Sequence, residues 1–191
     1  IKGYKMALKK RVLFLCGKNE ARSQIAEAFF NSLAGDTFEA YSGGQEIGEL
    51  NQFAVRAMNE IGIDISKNES KKAIKFFQDG KTYNYVITIW DNEKDSNHPV
   101  FPGVTQRSHW IIDDIAKFDS LGEEGQMEKM RSIRNEIKQK VKDHAQYLEF
   151  LKIRRSKGFK ESERINIHSV FMGNPGTGKT RRRRPLPRRR P

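Results

Sequence analysis

Short apolar runs alternate with helix-patterned stretches from residue 11 to about residue 151, and that alternation leaves few folds open. The runs are Arg11–Leu15 (RVLFL), Phe38–Ser42, Tyr85–Ile89 (YVITI) and Arg107–Ile111. The first and third are almost wholly apolar, as strands buried on both faces of a parallel sheet are. Between the first two lies Ser23–Ala34. Its Ile25, Ala26, Phe29, Phe30 and Leu33 fall at helical spacing, and Gly35 stops it. Gly43–Gly44 is expected to end the second strand. Asn51–Ile61 repeats the helical pattern, with Phe53, Val55, Ala57, Met58 and Ile61 as the buried set and Gly62 closing it. A short helix is predicted over Lys71–Phe77. A long charged one runs from Glu123 to about Leu151, with Met127, Met130, Ile133, Ile137, Val141 and Tyr147 as its apolar stripe. Strands alternating with helices predict an α/β fold, a doubly wound four-stranded parallel sheet with a long C-terminal helix. Ligands in such sheets sit beyond the C-terminal strand ends, at the switch point. Cys16 follows the first run directly and falls at that place.

Cys16 is the only cysteine in 191 residues, so no internal disulfide framework exists and a reducing cytoplasm suits the chain. No apolar run approaches the roughly 18 residues of a membrane span. Val12–Leu15 is too short for a signal-peptide core of about 7–15 residues. No membrane partner is expected. The net charge of +12 falls to +5 without the seven arginines of the last eleven residues, RRRRPLPRRRP. Residues 181–191 are read as a disordered tail foreign to the protein, and nucleic acid is not an expected partner apart from that tail. The chain begins at Ile1, and Met6 is a candidate true start.

The loop Cys16-Gly17-Lys18-Asn19-Glu20-Ala21-Arg22-Ser23 immediately precedes a helix N-terminus. Backbone N–H groups in such a turn face inward and form a cradle for an anion, and the helix dipole adds positive potential. Thiols in this position have pKa values drawn down to about 3.5–7.5, which predicts a nucleophilic thiolate at neutral pH. Arg22 can clamp a tetrahedral oxyanion through two parallel hydrogen bonds. The Ser23 hydroxyl can donate to the sulfur. Asn19 suits a left-handed backbone position inside the turn. The loop is thus expected to hold phosphate or arsenate against a reactive sulfur. The bland reading is a small buried hydrophobe that happens to be cysteine.

The stretches VLFLCGKNEARSQIAEAFF, FEAYSGG, AVRAMNEIGIDIS, YVITIWDN, HPVFPG, HWIIDD and IRNEIKQKV, in this order over about residues 10–145, resemble the low-molecular-weight protein tyrosine phosphatase superfamily. Within it they are most similar to the arsenate reductase branch. The resemblance implies Cys16 as nucleophile, Arg22 as oxyanion clamp, Ser23 and Asn19 as loop supports, and no tightly bound cofactor. It also implies a carboxylic acid after the last strand that moves a proton. That acid is Asp114, with Asp113 beside it. The family has Asp-Pro at this place; the chain has Asp114-Ile115. Tyrosine phosphatases of this type follow the acid with aromatic residues, whereas Ile115 and Ala116 stand here.

Two departures matter. Thioredoxin-coupled reductases relay electrons through two further cysteines after the third strand, where this chain carries Trp90 and His98. Reduction would then need an external thiol or thiol-transfer protein. Glu20 replaces a small or hydroxyl residue and places a carboxylate beside the oxyanion site. The expected function is arsenate reduction completed by an outside thiol. The alternatives are phosphate-monoester hydrolysis through a phosphocysteine and a catalytically weak oxyanion sensor.

Past the long helix, Gly173-x4-Gly178-Lys179-Thr180 is a Walker A loop, in which Lys179 would reach β/γ-phosphates and Thr180 would ligate Mg²⁺. The surrounding stretch is similar to the start of AAA+ ATPases of the CbbX type. Arginines and prolines follow where a helix should, so ATP and Mg²⁺ are expected as ligands only of a complete ATPase domain. The predicted organisation is a phosphatase-like domain over 8–145, a linker with a truncated Walker A segment over 146–180, and the tail.

Overall fold

A computed structural model of the chain describes residues 9–91 and 106–158. Its strands are β1 (Lys10–Cys16), β2 (Phe38–Gly44), β3 (Tyr85–Trp90) and β4 (Gln106–Ile111). The helices are α1 (Arg22–Ala34), α2 (Gln52–Asn59), α3 (Ala73–Gln78) and α4 (Glu123–Ser156), and a 3₁₀ turn spans Ile115–Phe118. The strands form one parallel sheet in the order β2-β1-β3-β4. From β1 the chain first moves outward to β2, then crosses back over β1 to β3 and β4. The direction of winding reverses at β1, so the switch point opens beyond its C-terminal end, at Cys16.

The central strands β1 and β3 are apolar because both of their faces are covered. Val12, Leu13, Phe14 and Leu15 are buried, as is all of β3. On one face Phe14 meets Phe30 of α1 and Trp110 of β4, each with ring centroids 5.6 Å apart. His144 of α4 joins the same cluster against Tyr85 and Trp110. The opposite face carries Tyr41, Phe76 and Tyr83, an edge-to-face trio that seats α3. Helices therefore cover both faces, as the alternation predicts. Arg134 of α4, itself buried, donates to the Ala57 carbonyl at the end of α2 and ties those helices together.

Several element boundaries differ from the sequence expectation. β2 runs through Gly43 and Gly44 instead of stopping at Ser42; they are its last two residues, paired with Leu15 and Cys16. Their lack of a side chain serves packing. A Cβ on Gly43 would lie 2.9 Å from the Phe76 ring, and one on Gly44 would lie 2.7 Å from the Asn19 backbone nitrogen. α2 starts after Asn51, whose side chain caps it by accepting from the Phe53 and Ala54 N–H groups. It ends before Ile61, which is exposed, while Gly62 at φ 77° turns the chain as expected. Ala54 is buried in this helix, whereas Phe53 is only half-buried. Leu33 of α1 is 52% exposed. α4 continues to Ser156, and its inward face near the end is His144 and Leu148, with Tyr147 half-buried at its side.

The chain divides into two units, Ile1–Phe150 and Leu151–Pro191, and the first contains the sheet. Among the described residues no helix is long and apolar enough to cross a membrane. The Walker A residues Gly173, Gly178, Lys179 and Thr180, the Arg/Pro tail and His98 lie outside the described residues.

Candidate active site

β1 ends on Cys16 and α1 begins at Arg22, so the loop between them closes over the end of the central strand. What shapes it is a strap formed by residues 45–51. The Gln45 N–H donates to the Cys16 carbonyl (3.2 Å), Glu46 to Gly17 (2.9 Å), Gly48 to Lys18 (2.9 Å) and Asn51 to Glu20 (2.9 Å). The Asn19 carbonyl accepts from the side chains of Gln24 (3.1 Å) and Ser70 (2.9 Å). The Ala21 carbonyl accepts from the Ile25 N–H inside α1. Every carbonyl from Cys16 to Ala21 is thereby drawn outward. A planar trans peptide points its N–H opposite to its C=O, so the N–H groups of residues 17–22 are turned to the inside. The loop thus presents a ring of inward N–H groups, held by a strap that acts through its backbone.

Cys16 sits at the bottom, 2% exposed. Its sulfur receives the Asn19 N–H at 3.3 Å and lies 2.9 Å from the Ser23 hydroxyl oxygen. The neighbours fix the orientation of the Asn19 amide beside that second bond. Asn19 Oδ1 accepts from the Lys71 N–H (2.8 Å), so the other end of the amide is the donor. Asn19 Nδ2 gives its two hydrogens to Ser23 Oγ (2.8 Å) and Ser42 Oγ (2.9 Å). Ser42 in turn donates to the carboxylate of Glu27. The Ser23 oxygen thus accepts one bond, and its own hydrogen is available to a Cys16 thiolate. Asn19 is fully buried with φ 56°, the left-handed position its residue type suits.

Glu27 is a deeply placed carboxyl whose pKa is raised by burial, partly offset by its bond from Ser42 and by Lys71, whose ammonium lies 4.0 Å away. Neither Glu27, Ser42, Ser70 nor Lys71 stands out in the sequence. The strand register of the folded sheet sets Gly44 beside Cys16 and Ser42 beside Phe14.

Arg22 is buried and donates to the Ile112 carbonyl at 3.1 Å. It also pairs with the carboxylate of Asp114. Asp114 is itself anchored, its Oδ1 accepting the Ala116 N–H as the cap of the 3₁₀ turn. Asp113 turns away to Lys117 and Lys129. The structure therefore brings together Cys16, Asn19 and Ser23, and pairs Arg22, at the end of the loop, with Asp114, with Gly17, Lys18, Glu20 and Ala21 completing the loop. Ala21 is buried, Gly17 and Glu20 are half-buried, and Lys18 is exposed. Trp90, the last residue of β3, is buried. Among the described residues no group of three or more His, Cys, Asp or Glu could hold a metal ion.

The profile of the low molecular weight phosphotyrosine protein phosphatase family matches residues 11–153. An arsenate reductase of Shouchella clausii is 39% identical over 139 residues, which cover 72% of this chain and 96% of that protein. Among solved structures, an arsenate reductase in the phosphate-binding state superimposes with a TM-score of 0.60 at 28% identity, over 72% of this chain and 98% of its own. A thioredoxin-dependent arsenate reductase of Corynebacterium glutamicum superimposes with a TM-score of 0.52 at 26% identity, over 73% of this chain and 63% of its own.

Proposed function

The chain belongs to the low molecular weight phosphotyrosine protein phosphatase family, and we propose from that premise that it is an arsenate reductase whose only protein nucleophile is Cys16. The observation that carries the reading is the set of six loop carbonyls turned outward around one sulfur. It leaves a ring of N–H donors where a tetrahedral oxyanion would rest, with Arg22 closing the ring.

In the first step the Cys16 thiolate attacks arsenic. One arsenate oxygen leaves as water, its protons those of the bound dihydrogen arsenate with Asp114 as their relay, and a sulfur–arsenic(V) bond remains. The Arg22 guanidinium and the loop N–H groups stabilise the charge that develops on the other oxygens. In the second step an external thiol attacks the Cys16 sulfur. The electron pair of the sulfur–arsenic bond passes to arsenic, which leaves as arsenite, and Cys16 is held as a mixed disulfide. A second thiol releases it as free cysteine. The sum is one arsenate and two thiols giving arsenite, one disulfide and water. An outside thiol is required because the 191 residues contain one cysteine. A small cytoplasmic thiol or a thiol-transfer protein of the thioredoxin class fits that need. The Walker A segment at Gly173–Thr180 is proposed as the start of a separate ATP-binding unit with no part in this chemistry.

A phosphatase reading uses the same first step on a phosphate monoester and ends in water attack on phosphocysteine. The apolar Ile115 and Ala116 after Asp114 favour the reductase. The test sets arsenate with several thiol donors against an aryl phosphate. Arsenite is expected with at least one donor, at a kcat/KM at least about tenfold above that for the ester. Aryl phosphate turnover without arsenite from any donor would assign the phosphatase reading. Tight arsenate binding with neither product would make the domain an oxyanion sensor.

A further inference from the structure

On the arsenate reductase reading of the site, on which this rests, we propose that the first electron donor is a small thiol of peptide size or less, and that a thiol-transfer protein acts only afterwards, on the mixed disulfide.

Cys16 is recessed. It is the last residue of β1, and β1 pairs with β3 as far as Leu15 and Thr88. β3 continues through Ile89 to Trp90, with β4 beside it to Ile111. Those two strands therefore run about one residue, roughly 3.3 Å, past the level of Cys16. On the other side Gly44 of β2 is level with it. The strap extends that wall, because the Gln45 and Glu46 N–H groups are bonded to the Cys16 and Gly17 carbonyls. Within the loop Gly17 is half-buried and Lys18 exposed, whereas Cys16 is 2% exposed. Arsenic bonded to the sulfur takes up part of the access that remains.

A disulfide brings the Cα atoms of its two cysteines to within about 4.4–6.8 Å of each other. Neighbouring strands lie about 4.8 Å apart. A protein donor thus has to bring its own backbone about as close to Cys16 as β2 and β3 already are. The fold around the donor cysteine comes with it and meets the strap and the strand ends first. A small thiol brings only its few atoms. Its sulfur bonds to Cys16, the electron pair of the sulfur–arsenic bond leaves with arsenic, and a mixed disulfide remains. The donor's sulfur then lies one bond, about 2.05 Å, beyond that of Cys16. A thiol-transfer protein attacks this outer sulfur. One sulfur–sulfur bond forms, the other breaks, and Cys16 departs as a thiolate. The Asn19 N–H at 3.3 Å and the Ser23 hydroxyl at 2.9 Å are placed to receive its charge. The protein's second thiol then displaces the small thiol and closes the protein's own disulfide.

Single turnovers with arsenate compare glutathione and a thioredoxin-class protein as sole donors, with arsenite and peptide masses read after acid quenching. Each rate is divided by the same donor's rate with the small disulfide dithionitrobenzoate, which removes differences in intrinsic thiol reactivity. On this scale glutathione is expected to form arsenite at least about tenfold faster than the protein, with glutathione joined to Cys16, because access governs thiol exchange. The protein should then restore free Cys16 from the isolated Cys16–glutathione disulfide. A normalised protein rate within about tenfold of the glutathione rate overturns the order of donors and leaves the reductase reading in place. Failure of the protein to free Cys16 from that disulfide overturns its assigned step. If neither donor yields arsenite, the reductase reading falls as well.

Discussion

Replacing Cys16 by serine is expected to bring arsenate-dependent thiol oxidation down to background, a loss of at least about 10⁴-fold, while the fold is kept. Two separate failures combine. The serine hydroxyl is not ionised near neutral pH, so the attack on arsenic loses its nucleophile. More decisively, oxygen cannot take the place of sulfur in the second step. There the external thiol must form a disulfide with residue 16 while the electron pair moves to arsenic. Structurally the exchange is mild. The site is 2% exposed, and a serine oxygen can still accept from the Asn19 N–H and the Ser23 hydroxyl. The stability change should stay within about 1 kcal/mol. Activity and thermal unfolding measured on one preparation check both halves. Residual turnover above about 1% of wild type would remove Cys16 from the chemistry.

Acid should destabilise the protein through His144. This residue faces the sheet from α4, between Tyr85, Trp110 and Tyr147, and its buried Nε2 has no hydrogen-bond partner among the described residues. Burial disfavours the imidazolium and lowers the pKa from 6.5 to about 4. In the unfolded chain the ring takes up a proton as pH falls through about 6.5; in the native protein it resists until about 4. The stability present above pH 6.5 is therefore lost progressively between those values, by about 3 kcal/mol in full. Glu27, whose pKa is raised by burial, carries the opposite sign, because its native form favours the proton. A comparison of variants separates the two. His144→Phe retains an aromatic ring in the cluster and has nothing to titrate. Urea unfolding at pH about 7 and about 4.5 should show wild type losing 2–3 kcal/mol more than this variant, on the order of the linkage. Equal losses in the two proteins would show that His144 is protonated without penalty in the native state.

The sheet was readable because its central strands are buried on both sides, which leaves apolar residues at 12–15 and, Thr88 apart, at 85–90. The candidate loop was readable for a related reason. Cys16, Asn19, Arg22 and Ser23 lie within eight residues of one another, so a local pattern contains them. The strap at 45–51 was not readable, since it contributes N–H groups that every residue but proline has. Ser42, Glu27 and Lys71 reach the sulfur only through Asn19, over separations a linear reading does not join. Gly43–Gly44 was misjudged because glycine serves both turns and close packing. At these positions the Phe76 ring and the Asn19 backbone approach too closely for any Cβ. His144 sits at a spacing shared with Ile137, Val141 and Leu148, so the helical period did place it inward. A lone histidine in so charged a helix gave no reason to count it as core. α4 outran its expected end because its inward residues thin out before its helix-forming ones do.

The proposed reduction requires that one external thiol bond to the Cys16 sulfur as arsenic leaves it with the electron pair. Acid-quenching a single turnover, with arsenate and one thiol donor at the protein's own concentration, and then mapping peptides by mass reads this directly. The expected species is Cys16 joined to the donor through a disulfide, formed in step with one arsenite per protein and absent when arsenate is omitted. Arsenite appearing while Cys16 remains an unmodified thiol throughout would contradict it.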